Sequence, residues 1–251
     1  MKILKIGGSF LTNKSGYREP DPKNILIAAK TVATVWKGGI RDFILVHGAG
    51  SFGHALVLKY KIDDGITSTA QKLGYSDTHA SCTELSLLFV ETLIKEGVPA
   101  VSIPPALIIE QKNKRIAKFD TKLVNDYLGS GYLPVLHGDM VPDSILGGSV
   151  CSGDQIVAYL GKGADFIVLA TNVDGVLDDK CQVIEKITSA NFQSVSKHLQ
   201  ITGNDVTGGM EGKIKELLGL DTTSYIVNAA NPERIKALMS GKKAICTEVR
   251  K

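Results

Sequence analysis

The sequence predicts an α/β protein built on a mainly parallel, buried sheet, and three observations carry that expectation. Short apolar runs alternate with longer stretches of helical periodicity along the chain, the βαβ rhythm in which helices connect parallel strands. The 251 residues, 43% hydrophobic and 22% charged, are enough to bury a large core. Glycines and polar residues gather at the ends of the apolar runs, where open α/β sheets bind their ligands.

The elements are laid out in order along the chain. Residues 3–6 form a first apolar run. Asp21-Pro22 supplies an N-cap and a first-turn proline for a helix through about residue 37, which Gly38-Gly39 stops. Residues 43–46 are the next strand, and a helix over about 81–96 leads to a strand at 100–103. A helix over about 121–129 precedes a strand at 133–136. A helix over about 153–162 then leads into a strand at 166–170. The last third adds a helix at 212–218, a strand at 225–227, a helix at 232–239 and a strand at 244–246. No internal repeat or low-complexity linker interrupts the series, so one continuous domain is expected.

Composition narrows the function classes. A formal net charge of +3, with lysines and arginines scattered among acids, gives no footprint for nucleic acid but suits a small anionic substrate. Cys82, Cys151, Cys181 and Cys246 form no C-x-x-C pair, so neither a zinc site nor a disulfide framework is expected. The chain reaches Gly7-Gly8 before any signal-peptide apolar region, and the apolar stretch 85–94 is short of the ~20 residues a bilayer span needs. The expectation is a cytoplasmic enzyme with no membrane association.

Four strand ends carry the residues of chemical interest: Lys5-Ile6-Gly7-Gly8-Ser9, His47-Gly48-Ala49-Gly50-Ser51, His137-Gly138-Asp139 and Thr171-Asn172-Val173-Asp174-Gly175. In the first, glycines expose backbone donors while Lys5, Ser9 and, after a short connection, Lys14 can surround phosphate oxygens. A tight turn with two surface lysines is the structural alternative. The second fits G-x-G-x-x-G, but no acid-bearing strand comes after it to meet a ribose, and a dinucleotide site leaves Lys5 and Lys14 without a role. A phosphate loop accounts for more residues. His54 lies directly after it and can donate to an anion, whereas His47 and His137 read as structural hydrogen-bonding groups and His79 and His198 as surface or core residues.

No G-x-S-x-G elbow is present, and no Gly-Lys pair is followed by Ser or Thr, so neither a serine hydrolase nor a Walker A loop is indicated. The C-terminal half instead offers Ser152-Gly153-Asp154, Thr171 to Val176, and Thr207-Gly208-Gly209-Met210-Glu211-Gly212-Lys213. Asp154 as a helix cap and Val173-Asp174-Gly175 as a turn are the structural alternatives.

Taken in order, these motifs resemble the amino acid kinase family along essentially the whole chain. The resemblance implies a three-layer αβα sandwich with a mainly parallel open sheet. It also implies one domain over 1–251, with an acceptor-binding lobe over about 1–150 and a nucleotide-binding lobe over about 151–251. Within the family, Gly48-Ala49-Gly50-Ser51-Phe52-Gly53-His54 is similar to the substrate-phosphate loop of isopentenyl phosphate kinases, whose histidine holds the acceptor phosphate. A related phosphonate-antibiotic kinase carries a similar histidine, so the loop narrows the acceptor without fixing it.

In chemical terms the resemblance implies transfer of a phosphoryl group from ATP, entering with Mg²⁺, to isopentenyl phosphate or a similar small alkyl phosphate in isoprenoid biosynthesis, by a homodimer. It implies catalytic roles for Lys5, Lys14, His54, Asp154 and Lys213. Acceptor binding falls to Ala49, Gly50, Gly53, His54 and Gly138. The nucleotide falls to Lys5, Gly7, Gly8, Ser9, Gly50, Asp154, Thr171, Asp174, Gly208, Gly209 and Lys213. No protein residue is assigned as a direct metal ligand. Leu85, Leu88, Phe89, Leu93 and Ile156 are candidates both for core packing and for an apolar tail pocket. A kinase for a phosphonate or an amino acid, and a noncatalytic nucleotide-binding protein of the same fold, are the alternatives.

Overall fold

In the computed structural model, which describes residues 1–13, 16–199 and 209–251, the apolar runs become strands and the periodic segments become the helices that cover them. The first half runs β1 (Lys2–Ile6), α1 (Gly8–Leu11), α2 (Pro22–Lys37), β2 (Phe43–His47), α3 (His54–Tyr60), α4 (Thr69–Lys95), β3 (Ala100–Ser102), β4 (Ile109–Lys112), β5 (Arg115–Phe119) and α5 (Lys122–Gly129). The second half runs β6 (Leu133–His137), β7 (Asp139–Val141), β8 (Ser149–Cys151), α6 (Gly153–Gly161), β9 (Ile167–Thr171), β10 (Lys186–Ile187), α7 (Phe192–Leu199), α8 (Gly209–Leu218), β11 (Ser224–Asn228), α9 (Pro232–Met239) and β12 (Thr247–Val249).

Among the described residues eight strands form one sheet in the order β10-β12-β11-β9-β1-β2-β6-β3, in which only β11 and β12 pair antiparallel. β1 lies at the centre, parallel to β2 on one side and β9 on the other. The chain departs from β1 toward β2 and returns through β9, so the space beyond the carboxyl end of β1 is where ligands of such sheets bind.

Strand alternation divides the core in two. Leu4, Ile6, Phe43, Leu45, Leu133 and Val135 pack with α2 and α4 in one cluster, whereas Ile3, Ile44, Val46, Leu136, Ile167 and Leu169 pack with α6 and α8 in the other. These strands are buried on both faces, which is why their sequences are continuous apolar runs.

Several expectations are corrected. The helix expected over 81–96 begins at Thr69, where Ser68 and Gln71 form a capping box. Its first turns carry few apolar residues, so periodicity alone loses them. The expected strand at 244–246 lies instead at Thr247–Val249; Ile245 is 58% exposed, while Thr247 and Val249 are fully buried. Two small antiparallel hairpins, β4–β5 and β7–β8, lie outside the main sheet and outside the expected series of strands. Leu85, Phe89 and Leu93 pack in the α2–α4 core and Ile156 in the α6–α8 core, the core-packing reading of the two given for them.

Candidate active site

Three glycines prolong the parallel ladder beyond the last strand residues. The Gly7 amide donates to the Ala170 carbonyl (2.8 Å), Gly48 to Ile6 (3.1 Å) and Gly138 to His47 (2.9 Å), so the loops after β1, β2 and β6 leave the sheet from a common, hydrogen-bonded edge. Above it the first two loops interlock backbone against backbone. A Cβ on Gly8 would lie 2.4 Å from the Gly50 nitrogen, and one on Gly50, whose φ is +54°, would lie 2.6 Å from the Gly8 carbonyl oxygen. Only residues without side chains allow this approach.

Hydroxyl groups secure the interlock. Thr12 Oγ1 donates to the Gly8 carbonyl (3.0 Å) and accepts from the Ser51 amide (3.0 Å). Ser51 Oγ also bonds the Glu19 backbone, and Arg18 reaches α4 through Asp77 (3.2 Å) and Glu84 (2.5 Å). Lys14 itself lies outside the described residues. Sequence reasoning misses Thr12 and Arg18, because the partners that tie them to other loops and helices lie 39 to 66 residues away and leave no local signal.

Alternation places Lys5 on the α6 face of β1, with its side chain only 5% exposed. There it meets Asp154, in the first turn of α6, behind the Ser152 cap. Asp154 also faces Lys213 of α8, Nζ to Oδ2 3.7 Å. Burial pushes the Asp154 carboxyl up, but the charges and hydrogen bonds of Lys5 and Lys213 outweigh it and hold the group below the ordinary carboxylate range. One carboxylate between two ammonium groups leaves net positive charge at the edge where the glycine loops expose their backbone.

Thr171, 9% exposed, closes the edge beside Gly7, and Asn172 Nδ2 donates to the Ser9 carbonyl (3.2 Å). Asp174 is occupied by Asn228 (2.8 Å) and Arg234 (3.1 Å), which lower its carboxyl, and so is tied into the β9–β11 wall. Gly209 opens α8 in the left-handed region, φ +56°, and Gly208 lies outside the described residues. Among the described residues no group of three or more His, Cys, Asp or Glu side chains is arranged to hold a metal ion.

Beyond β2, Ala49, Gly50 and Gly53 wrap through a 3₁₀ turn into α3, whose first residue is His54. A Cβ on Gly138 would lie 3.5 Å from the Ala49 nitrogen, so the β6 loop borders the same loop. His79, expected to be an ordinary surface or core residue, places Nδ1 3.0 Å from both oxygens of Asp139, whose side chain is fully buried. The hydrogen bond to Asp139 raises the imidazole despite its partial burial. Cys82 lies 3.5 Å from a Cβ built on Gly53, but burial raises its thiol well above the ordinary value, which makes it a packing group rather than a nucleophile.

The sequence profile of the amino acid kinase family matches residues 1–220. The chain belongs to that family. Isopentenyl phosphate kinase from Methanothermobacter thermautotrophicus is 34% identical, over 99% of this chain and 98% of the relative. The isopentenyl phosphate kinase of Methanocaldococcus jannaschii is also 34% identical, over 95% of each. An X-ray structure of isopentenyl phosphate kinase superposes with a TM-score of 0.85 at 31% identity, covering 99% of each chain. As a family member the chain is a phosphotransferase, and the Lys5–Asp154–Lys213 cluster lies beside the two glycine loops at the carboxyl edge of its sheet.

Proposed function

We propose that this phosphotransferase converts isopentenyl phosphate, or a closely similar small alkyl phosphate, and ATP into the diphosphate and ADP. The observation that carries the reading is the course of α3. Its first residue, His54, lies directly after the glycine loop, and its next turn supplies Val57 and Tyr60 to a separate apolar cluster with Ile62, Ile66, Tyr75, Met140 and Val150. A phosphate-binding loop and an apolar wall on one short helix suit an acceptor with a charged head and a hydrocarbon tail. The relatives' names point to the same acceptor.

An ionised acceptor phosphate needs positioning and charge stabilisation rather than a strong base. His54 and the Ala49–Gly50 backbone hold its oxygens. One of them attacks the γ-phosphorus of ATP, the bond to the β–γ bridging oxygen breaks, and ADP leaves. Lys5, with Lys14, stabilises charge on the migrating group, Asp154 orients Lys5 and Lys213, and Lys213 contacts the nucleotide phosphates. Gly7, Gly8, Ser9, Thr171, Gly208 and Gly209 border the nucleotide, with Asp174 bracing that wall. The donor set is cationic and fits phosphate oxygens, which would in turn hold Mg²⁺; bound there, the ion supplies further charge neutralisation.

Leu73, Leu87 and Ile94, on α4 at multiples of seven residues and 64%, 50% and 55% exposed, support a homodimer through that stripe. Four unpaired cysteines suit a reducing, cytoplasmic compartment.

The deciding assay is ADP release with product mass, using Mg·ATP and a panel of isopentenyl phosphate, a phosphonate, glutamate, aspartate and uridine monophosphate. Selective diphosphate formation from isopentenyl phosphate is expected. Selective turnover of another acceptor replaces the substrate, and nucleotide binding without turnover of any acceptor removes the catalytic reading.

A further inference from the structure

His47 and His137 end neighbouring strands, pair in register, and turn their rings to the α4 face of the sheet. The rings stack with centroids 5.5 Å apart at 24°, and Phe89 of α4 meets His47 edge-on at 5.7 Å. Both residues are fully buried. Each Nδ1 approaches the carbonyl oxygen of the next residue, a glycine in both cases, Gly48 at 3.0 Å and Gly138 at 3.2 Å.

A carbonyl oxygen can only accept, so each Nδ1 carries the proton. The ring is then neutral with a bare Nε2. Burial supports that state by pushing both imidazoles down to about 4. Neither Nε2 has a hydrogen-bond partner among the described residues. Two buried acceptors left unpaired are unfavourable, and a leucine or phenylalanine at either position would avoid the penalty. An apolar side chain cannot, however, donate to the glycine carbonyl.

We propose that His47 and His137 are a matched pair of positioning residues, each using Nδ1–H to hold the next glycine carbonyl and so to fix the peptide plane from which an acceptor-side loop departs. No peptide bond here is cis, so holding a carbonyl toward the ring turns the amide of the next residue, Ala49 or Asp139, to the opposite edge of its plane. The two planes adjoin. The Gly138 amide donates to the His47 carbonyl, and the Gly138 Cα faces the Ala49 nitrogen. The first plane sets the loop that leads to His54, and the second sets Asp139, which holds His79. The assignment of these planes to the acceptor rests on the reaction proposed above.

The test replaces each histidine by Asn, Gln and Leu in the full chain and reads KM for acceptor and for ATP separately. Asn places a donor where Nδ1 sits and is expected to keep acceptor KM within about threefold of wild type, while Gln and Leu raise it about tenfold or more with ATP KM little changed. Nitrogen-15 spectra of the histidines in the unmodified protein read the tautomers without any substrate. Both rings are expected protonated at Nδ1 and bare at Nε2 at neutral pH. An Nε2–H or doubly protonated ring, or a Leu variant with wild-type acceptor KM, overturns the proposal. Correct tautomers with no isopentenyl phosphate turnover would instead count against the proposed acceptor alone, and the KM comparison would pass to whichever acceptor is used.

Discussion

Among the described residues Asp154 pairs with two lysines, Lys5 and Lys213, so its removal separates charge placement from loop geometry. Asp154→Asn is expected to lower kcat about 100-fold or more while changing ATP KM less, because in the proposed reaction its lysines act on charge that grows in the transition state. It should also destabilise the fold by about 3 kcal/mol, since the buried Lys5 ammonium loses the carboxylate charge beside it. His54→Ala should act the other way round, raising acceptor KM with ATP KM unchanged, as steady-state kinetics in each substrate will show.

His47 and His137 make a separate prediction about pH. Their folded values of about 4 lie below the ordinary histidine value, so between the two the unfolded chain binds protons that the folded chain refuses. Stability is therefore complete above that ordinary value and falls as the solution is acidified, by about 2 kcal/mol per histidine between pH 7 and pH 5. His79 has the opposite sign. Its raised value contributes stability below the ordinary range that is lost as pH rises through the folded value, so on acidification it offsets part of the loss from the two buried histidines. Urea unfolding across this range measures the slope. Lys5, Asp154 and Lys213 were legible as an ordered motif, whereas the His79–Asp139 pair was not, because residues 60 apart in sequence meet only after α4 packs on the β7 hairpin.

At the scale of elements, the glycine loops are one object made of two pieces. Gly8→Ala puts a methyl group against the backbone of Gly48 and Gly50, where no rotamer change can relieve it. The expected result is a loss of about 2 kcal/mol or more, visible in thermal or denaturant melts, together with lost turnover as the loops part. Gly163→Ala is a control for added bulk alone, since nothing lies within 4 Å of its Cβ position and its φ is not in the left-handed region. The sheet strands were readable because burial on both faces writes an unbroken apolar run. The hairpins were not, being two short pairs whose polar and apolar residues alternate with partners elsewhere, and the first turns of α4 are set by a cap rather than by periodicity.

At the scale of the molecule, the sheet separates two kinds of support for a single site. The α6 face supplies the charged cluster of Lys5, Asp154 and Lys213, and the α4 face supplies the stacked histidines beneath the glycine loops. β1 and β2 join the two, so the edge that carries the glycine loops is anchored on the buried strands at the middle of the core.

The glycine amides that prolong the parallel ladder give that anchoring a measurable form. Amides of Gly7, Gly48 and Gly138 share their bonds with the innermost strands, and deuterium should enter them only when the whole sheet opens. Their exchange free energies should equal the global unfolding value and move with it in every destabilised variant, while amides at the exposed hairpin tips exchange through small local openings. An enzyme built this way would let its substrates come and go over a floor that opens only when the fold itself does.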